Sequence, residues 1–105
     1  MYEKERNPVP TYVTLFRWTQ LGIENVKNSP VRLDAAKQMF QQMGGEVKAF
    51  YLVMGQCDIV MVSEAPDDET MAKINLAATA HGAIRSETMR AFTEDEYRKI
   101  IGELP

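Results

Sequence analysis

The stretch that most constrains the fold is residues 50–64, where two apolar runs flank a short polar connection. The runs are residues 50–53 and 59–62, and Gly55 and Asp58 lie between them. Four-residue apolar runs on both sides of a turn are typical of paired β-strands. We therefore predict a β-hairpin at the centre of a sheet, with apolar side chains on both of its faces.

The segments around this hairpin predict two more strands and two long helices. Alternating side chains predict a first strand over residues 12–18 and a fourth over residues 84–92. Helical spacing of apolar residues predicts one helix opened by Ser29 as N-cap, after a short helix at residues 21–27. Gly44 and Gly45 are expected to end that helix, and a second long helix is predicted from Asp67 to about residue 81, where Gly82 ends it. The order β-α-β-β-α-β predicts a ferredoxin-like α+β subunit with an antiparallel four-stranded sheet.

The C-terminal segment predicts one helix beyond that fold. Thr93 and Glu96 have the spacing of a capping box, so we expect an extra helix over residues 94–101. The N-terminal residues 1–10 are charged, contain two prolines and predict a flexible tail. The remaining residues, 11–105, then form a single domain.

Composition excludes several classes of function. The net charge of −3 lacks the basic footprint of a nucleic-acid-binding protein. No apolar run approaches the roughly 20 residues that a membrane helix needs. The N-terminus has no apolar export signal and the chain has a single cysteine, so a cytoplasmic location is expected.

The two-faced hairpin also predicts a homodimer. Both right-handed crossovers place the long helices on one face of the sheet, which leaves the other face bare. A sheet that is apolar on both faces needs two covers, and a second subunit is the simplest source of the other. A homo-oligomer larger than two subunits is left open.

Three segments resemble the GYD domain family of small α+β proteins: TYVTLFRWTQLGIENVKNSPVRLDAA, KAFYLVMGQCDIVMVSEAPDDET and IRSETMRAFTEDEYRKII. In the turn that gives the family its name, Gly55 and Asp58 match, and Cys57 occupies the position of the tyrosine. The resemblance implies a ferredoxin-like subunit in a homodimer of the dimeric α+β barrel class. It implies no activity.

Candidate ligand-binding residues are expected around a pocket between the sheet and the helices. Arginine can bind an anion, and aromatic rings can line an apolar cavity, so the ligand class is a small anionic or aromatic molecule. The candidates are Arg17, Trp18, Thr19, Tyr51, Asp58 and Arg90.

Single residues with reactive side chains have simpler structural interpretations. Gly55 is expected to supply a positive φ in the turn, and Asp58 to bond nearby amides. Cys57 has no cationic neighbour in sequence that would activate a thiol. His81 precedes a glycine at a helix end, and one histidine alone predicts neither a metal site nor a cofactor.

Three functions fit these observations. The leading hypothesis is a homodimeric module that binds a small molecule. The alternative is a small cofactor-independent enzyme of the oxygenase, isomerase or lyase type, which the dimeric α+β barrel class includes; a pocket carboxylate, Asp58 or Glu64, would favour it. The third is a structural or regulatory assembly module, which a packed cleft would favour.

Overall fold

A computed structural model describes residues 9–105 and shows a four-stranded antiparallel sheet with helices between its strands. The strands are β1 (Thr11–Trp18), β2 (Glu46–Leu52), β3 (Ile59–Glu64) and β4 (Ile84–Ala91). The helices are α1 (Gln20–Glu24), α2 (Ser29–Gln42), α3 (Asp68–Thr79) and α4 (Glu94–Gly102), with a 3₁₀ turn at Val26–Asn28. This order confirms the predicted ferredoxin-like α+β fold. The predicted tail at residues 1–10 lies almost wholly outside the described residues.

The predicted hairpin forms, but it does not lie at the centre of the sheet. Strands β2 and β3 pair antiparallel, with Tyr51 opposite Val60. The order in the sheet is β2-β3-β1-β4, so β2 is an edge strand and β3 and β1 are central. The crossover from β1 to β2 skips one strand position, and β3 then fills that gap. The prediction of a central position was wrong for β2, because which hairpin strand pairs with β1 depends on contacts between residues far apart in the chain.

The start of α2 differs from the prediction that Ser29 is its N-cap. Ser29 already has helical torsion angles, φ −56° and ψ −42°, and Asn28 precedes the helix without a side-chain capping bond. The 3₁₀ turn runs directly into α2, so the helix does not start from an extended residue. The end of α2 follows the prediction, since Gly44 adopts the left-handed φ of +87°.

One face of the sheet packs against α2 and α3. Alternate residues of the central strands point to this face, including Phe16 of β1 and Met61 of β3. Phe40 of α2 and Ile74 of α3 lie against them and are almost fully buried. This layer of apolar side chains is the core, and we call this side of the sheet the helix face.

The opposite side, which we call the open face, keeps partly exposed apolar side chains at its centre. Glu46 pairs with Glu64 at one end, Arg17 pairs with Arg85 at the other, and Glu87 lies opposite Leu15 next to the arginine pair. The final helix, α4, contains no buried residue. The apolar members of the open face are Val13, Leu15, Ala49, Tyr51, Val60, Val62 and Met89.

Candidate functional site

A cavity of about 390 Å³ lies between α2, α3 and the helix face. Its wall is almost entirely apolar, because the sheet contributes aromatic and aliphatic side chains and the helices contribute methionines and alanines. Alanines at Ala36 of α2 and Ala78 of α3 fill little of the space between the helices. The apolar stripes of the two helices therefore face the sheet, but their small alanines leave room for a small molecule.

The side chain of Trp18 forms part of this wall, and hydrogen bonds hold its main chain in place. Its backbone N–H donates to the Asp58 carboxylate at 3.0 Å. The next residue, Thr19, donates its hydroxyl to the Gly82 carbonyl at 2.6 Å and accepts from the Gly22 N–H at 3.1 Å. These bonds fix the end of β1 against the start of α1, so the ring of Trp18 has a defined position.

Two residues of the cavity wall each have a buried N–H group without a hydrogen-bond partner within residues 9–105. These groups are Nε1 of Trp18 and Nη2 of Arg32. The other terminal nitrogen of Arg32, Nη1, donates to the Asn25 carbonyl at 3.4 Å. Since buried donors are nearly always paired in folded proteins, these two are the candidate polar groups of the site.

Asn75 and His81 supply the other strongly polar side chains of the wall. The Asn75 amide oxygen accepts from Ser86 at 2.8 Å and from Thr88 at 3.4 Å, which fixes the amide against β4. His81 follows the end of α3 and is exposed. Among the described lining residues there is no carboxylate.

Of the six predicted ligand-binding residues, the structure places only Trp18 in the cavity wall. Arg17 and Tyr51 lie on the open face, and the Arg17 side chain donates to the Gln56 carbonyl. The guanidinium of Arg90 stacks over Phe92, 4.6 Å from the ring centroid, at the far end of the sheet. Thr19 follows Trp18 in the chain and Asp58 accepts from its backbone N–H, but neither residue lines the cavity. The six residues thus divide between the two faces and both ends of the sheet.

The sequence interpretation missed Arg32, Asn75 and the cavity position of His81. A signal for Arg32 was present, because it lies four residues before Ala36 and eight before Phe40, at the edge of the buried stripe of α2. A charged residue at such a position is unusual unless it is paired or functional. Asn75 lies one residue after the buried Ile74, and its contacts with β4 depend on the folded sheet.

The turn that contains Gly55 differs in part from its prediction. Within the described residues only Gly44 and Gly82 have positive φ, so Gly55 does not supply the left-handed geometry expected of it. Asp58 does bond an amide, but the amide is that of Trp18 on another strand. Cys57 is half-buried beside the Arg17 end of the open face.

A buried tyrosine lies at the opposite end of β1 from Trp18. The Tyr12 hydroxyl donates to the Asp68 carboxylate at 2.5 Å. Burial of the phenol, together with that hydrogen bond and the negative charge of Asp68, raises the pKa of Tyr12 to about 12. Nearby, the bonds that Asp67 accepts from Thr70 as the N-cap of α3 lower the pKa of its carboxyl.

The described part of the chain has neither a membrane-spanning helix nor a metal-binding cluster. None of its helices is both long enough and apolar enough to cross a bilayer. Residues 9–105 also contain no group of three or more histidine, cysteine or carboxylate side chains placed to hold a metal ion.

Comparison with known proteins identifies relatives of the chain. The family model described as GYD domain matches residues 12–101. The glutamine synthetase and cystathionine β-lyase binding protein of Thermus thermophilus is 32% identical over 84 residues, covering 79% of this chain and 88% of that protein.

Two solved structures resemble the fold. A crystal structure of a Thermus thermophilus protein superposes with a TM-score of 0.50 at 21% identity, covering 80% of this chain and 94% of that one. An AsnC family transcriptional regulator from Agrobacterium tumefaciens superposes with a TM-score of 0.55 at 20% identity, covering 90% of this chain and 56% of the regulator. At these identities the likeness concerns the fold alone.

Proposed function

We propose that this chain, which belongs to the GYD domain family, is a homodimeric binding protein with one small-molecule cavity in each subunit. The observation that carries the proposal is the apolar cavity of about 390 Å³ between the helices and the sheet. Small-molecule sites are typically apolar clefts of about 300–1,000 Å³ with a few placed polar groups, and this cavity has that form.

The position of the carboxylates favours binding over the alternative of a cofactor-independent enzyme. That alternative depended on Asp58 or Glu64 as a pocket carboxylate. The Asp58 carboxylate is engaged by the Trp18 backbone, and Glu64 belongs to the open face. Neither residue lines the cavity.

The open face supports the homodimer. Its apolar centre is an exposed patch of the kind that protein interfaces cover, and Tyr51 keeps 61% of its surface exposed. Glu46 and Glu64 lie at one end, and Arg17 and Arg85 lie at the other, where Glu87 offsets one of the two positive charges. A two-fold axis that crosses the strands at right angles places each acidic end over the partner's basic end, using the same patch twice.

Protein partners are a second candidate function. The Thermus relative is named for binding two enzymes, and the name suggests that this chain also binds proteins. The supporting observation is α4, where apolar side chains remain exposed on a helix with no buried residue. These side chains are Tyr97, Ile100 and Ile101, and Leu104 follows the helix.

The cavity is tested with a neutral apolar probe, 4-phenyl-1-butanol, by calorimetry and by the fluorescence of Trp18, the single tryptophan of the chain. Saturable binding is expected in the wild-type protein. Ala78→Phe fills the cavity and should weaken binding by about tenfold or more. Ala72→Phe makes the same change on an exposed position of the same helix and should leave binding unchanged. Equal binding by both variants, or none by the wild type, contradicts the cavity site.

Sedimentation equilibrium tests the dimer. The wild type should sediment at twice the chain mass of 11.9 kDa at micromolar concentration. Val62→Glu buries a charge in the proposed interface and should give single chains, whereas Gln41→Glu, at an exposed position on α2, should not. A wild-type species near 11.9 kDa would rule out the homodimer.

A further inference from the structure

We propose that the cavity takes an apolar monocarboxylic acid, with its carboxylate held by Arg32 and Trp18 and its apolar body between α2 and α3. The inference rests on the proposed function, because it names the chemical class of the molecule that the cavity binds. It assigns the polar end of the site to Trp18 and to an arginine outside the six residues predicted from sequence.

The positive charge of Arg32 in the cavity wall favours the binding of an anion. Arg32 is a permanent cation, and within residues 9–105 it forms no ion pair. None of the described lining residues is acidic, although the chain as a whole has a net charge of −3. A cation beside an apolar wall, without a carboxylate of its own, is stabilised by an anion that enters the cavity.

The hydrogen-bonding groups select an acceptor. Nη2 of Arg32 and Nε1 of Trp18 are buried, unpartnered donors, and neither group can accept a hydrogen bond. A carboxylate has two acceptor oxygens and can take a bond from each of two donors. A bond to a charged acceptor is also stronger than one to a neutral acceptor. An amide or an alcohol supplies one acceptor oxygen and no charge.

Both donors belong to residues that contact α1 or the segment directly after it. Arg32 is tied to Asn25, in the junction between α1 and α2, through its Nη1 bond. The Cδ1 atom of Trp18, bonded to Nε1, lies 3.2 Å from where a Cβ on Gly22 of α1 would stand. The proposal therefore places the polar end of the site beside α1, with the apolar body of the ligand between the long helices.

The same wall disfavours an amino acid. An α-ammonium group needs an acceptor or a carboxylate, and no described lining residue offers a carboxylate. The amide oxygen of Asn75 is already engaged by Ser86 and Thr88. An ammonium group would enter unpaired next to a guanidinium, and like charges repel.

The cavity volume limits the size of the apolar body. An apolar cavity of about 150 Å³ accepts benzene, with its six carbons. By the same scale, the cavity of about 390 Å³ has room for about fifteen non-hydrogen atoms. Aryl-alkanoic acids and medium-chain fatty acids both fit this limit.

The test compares three molecules that share one apolar body: 4-phenylbutyrate, 4-phenylbutanamide and 2-amino-4-phenylbutyrate. Calorimetry on the full-length protein should show the acid binding about tenfold or more tightly than either of the others. Decanoate is added to separate an aromatic body from a linear chain. Tighter binding of 4-phenylbutyrate indicates an aryl-alkanoic ligand, and tighter binding of decanoate indicates a medium-chain fatty acid.

Two arginine variants make the test specific to the carboxylate. Arg32→Met keeps most of the side-chain stem and should weaken 4-phenylbutyrate binding about tenfold, with the amide within about twofold of its wild-type affinity. Arg85→Met makes the same change on the open face, outside the cavity, and should change neither. Trp18→Phe removes the indole N–H and should also reduce the preference for the acid, as measured by calorimetry.

The outcomes separate this inference from the proposed function. If the amide binds as tightly as the acid, or Arg32→Met keeps the full preference, the carboxylate assignment is wrong while the cavity stands as a binding site. If none of the probes binds the wild-type protein, both the assignment and the proposed cavity function are wrong. Tightest binding by the amino acid overturns the assignment as well.

Discussion

The two faces of the sheet are built from the same kind of residue but differ in what covers them. Along β3, Ile59 and Met61 point to the helix face and are buried, whereas Val60 and Val62 point to the open face and remain partly exposed. Strand β1 shows the same division. Apolar composition therefore does not decide burial in this subunit, because burial depends on where the two crossovers place the helices.

The difference in burial gives the two faces different roles, subunit stability on one and association on the other. The helix face supplies the core that stabilises the subunit, and it also contains the cavity. The open face contributes less to the stability of a single chain and leaves an apolar surface for association. Substitutions on the two faces should therefore affect different measurements.

The largest effect on stability is expected from the helix face. Phe40 is 1% exposed, and Phe40→Ala removes a buried ring from between α2 and the sheet. The free energy of unfolding should fall by about 3–5 kcal/mol, as measured by urea denaturation.

Val60→Ala is the comparison on the open face, although it removes two carbons where Phe40→Ala removes an aromatic ring. Measured at a protein concentration where chains are single, it should lower the free energy of unfolding by about 1 kcal/mol or less. Equal losses for Phe40→Ala and Val60→Ala would show that the two faces are packed alike, and the comparison would then fail.

The second effect concerns pH and the buried end of β1. The folded state raises the pKa of Tyr12 from 10.0 to about 12, chiefly through burial, so the neutral phenol favours folding. That contribution is complete below pH 10 and is lost as the pH rises towards 12. Relative to Tyr12→Phe, the wild type should lose about 1–2 kcal/mol of stability between pH 9 and pH 11.5.

Parallel denaturation of the two proteins measures this difference, and other alkaline titrations cancel because both proteins share them. Tyrosinate absorbance gives an independent check, since the variant should lack one group that titrates late. A constant stability difference across this pH range would show that Tyr12 titrates as if exposed.

A smaller effect is expected at α4, which packs on neither face through a buried residue. The predicted capping box is confirmed: the Thr93 hydroxyl accepts from the Glu96 N–H at 3.2 Å, and the Thr93 N–H donates to the Glu96 carboxylate at 2.8 Å. Thr93→Ala should lower stability by about 1 kcal/mol, the usual value for a lost N-cap. Circular dichroism during denaturation measures it, and an unchanged midpoint would show that α4 melts independently of the subunit.

The smallest effect is expected from Cys57, next to the basic end of the open face. Cys57→Ser should change the free energy of unfolding by less than about 0.5 kcal/mol and should leave sedimentation unchanged under reducing conditions. A large loss of stability, or a change of oligomeric state, would give the thiol a structural role that its half-buried position does not indicate.

The candidate site was less predictable than the fold, for a physical reason. Trp18 was found because an aromatic residue at a strand end points towards either a core or a cavity. Arg17 and Tyr51 were grouped with it, yet strand alternation and register place them on the other face. Arg32 was missed because its position depends on how α2 docks on the sheet, and helical spacing alone does not fix that rotation.

The sequence by itself determined the order of strands and helices, both glycine-terminated helix ends and the capping box of α4. These features depend on neighbours within a few residues, through side-chain periodicity and local hydrogen bonds. Tertiary structure decided which strand is central, which apolar face is covered, and which arginine borders the cavity. Those outcomes depend on contacts between residues far apart in the chain, where pairing and docking are chosen by the packing of the whole domain.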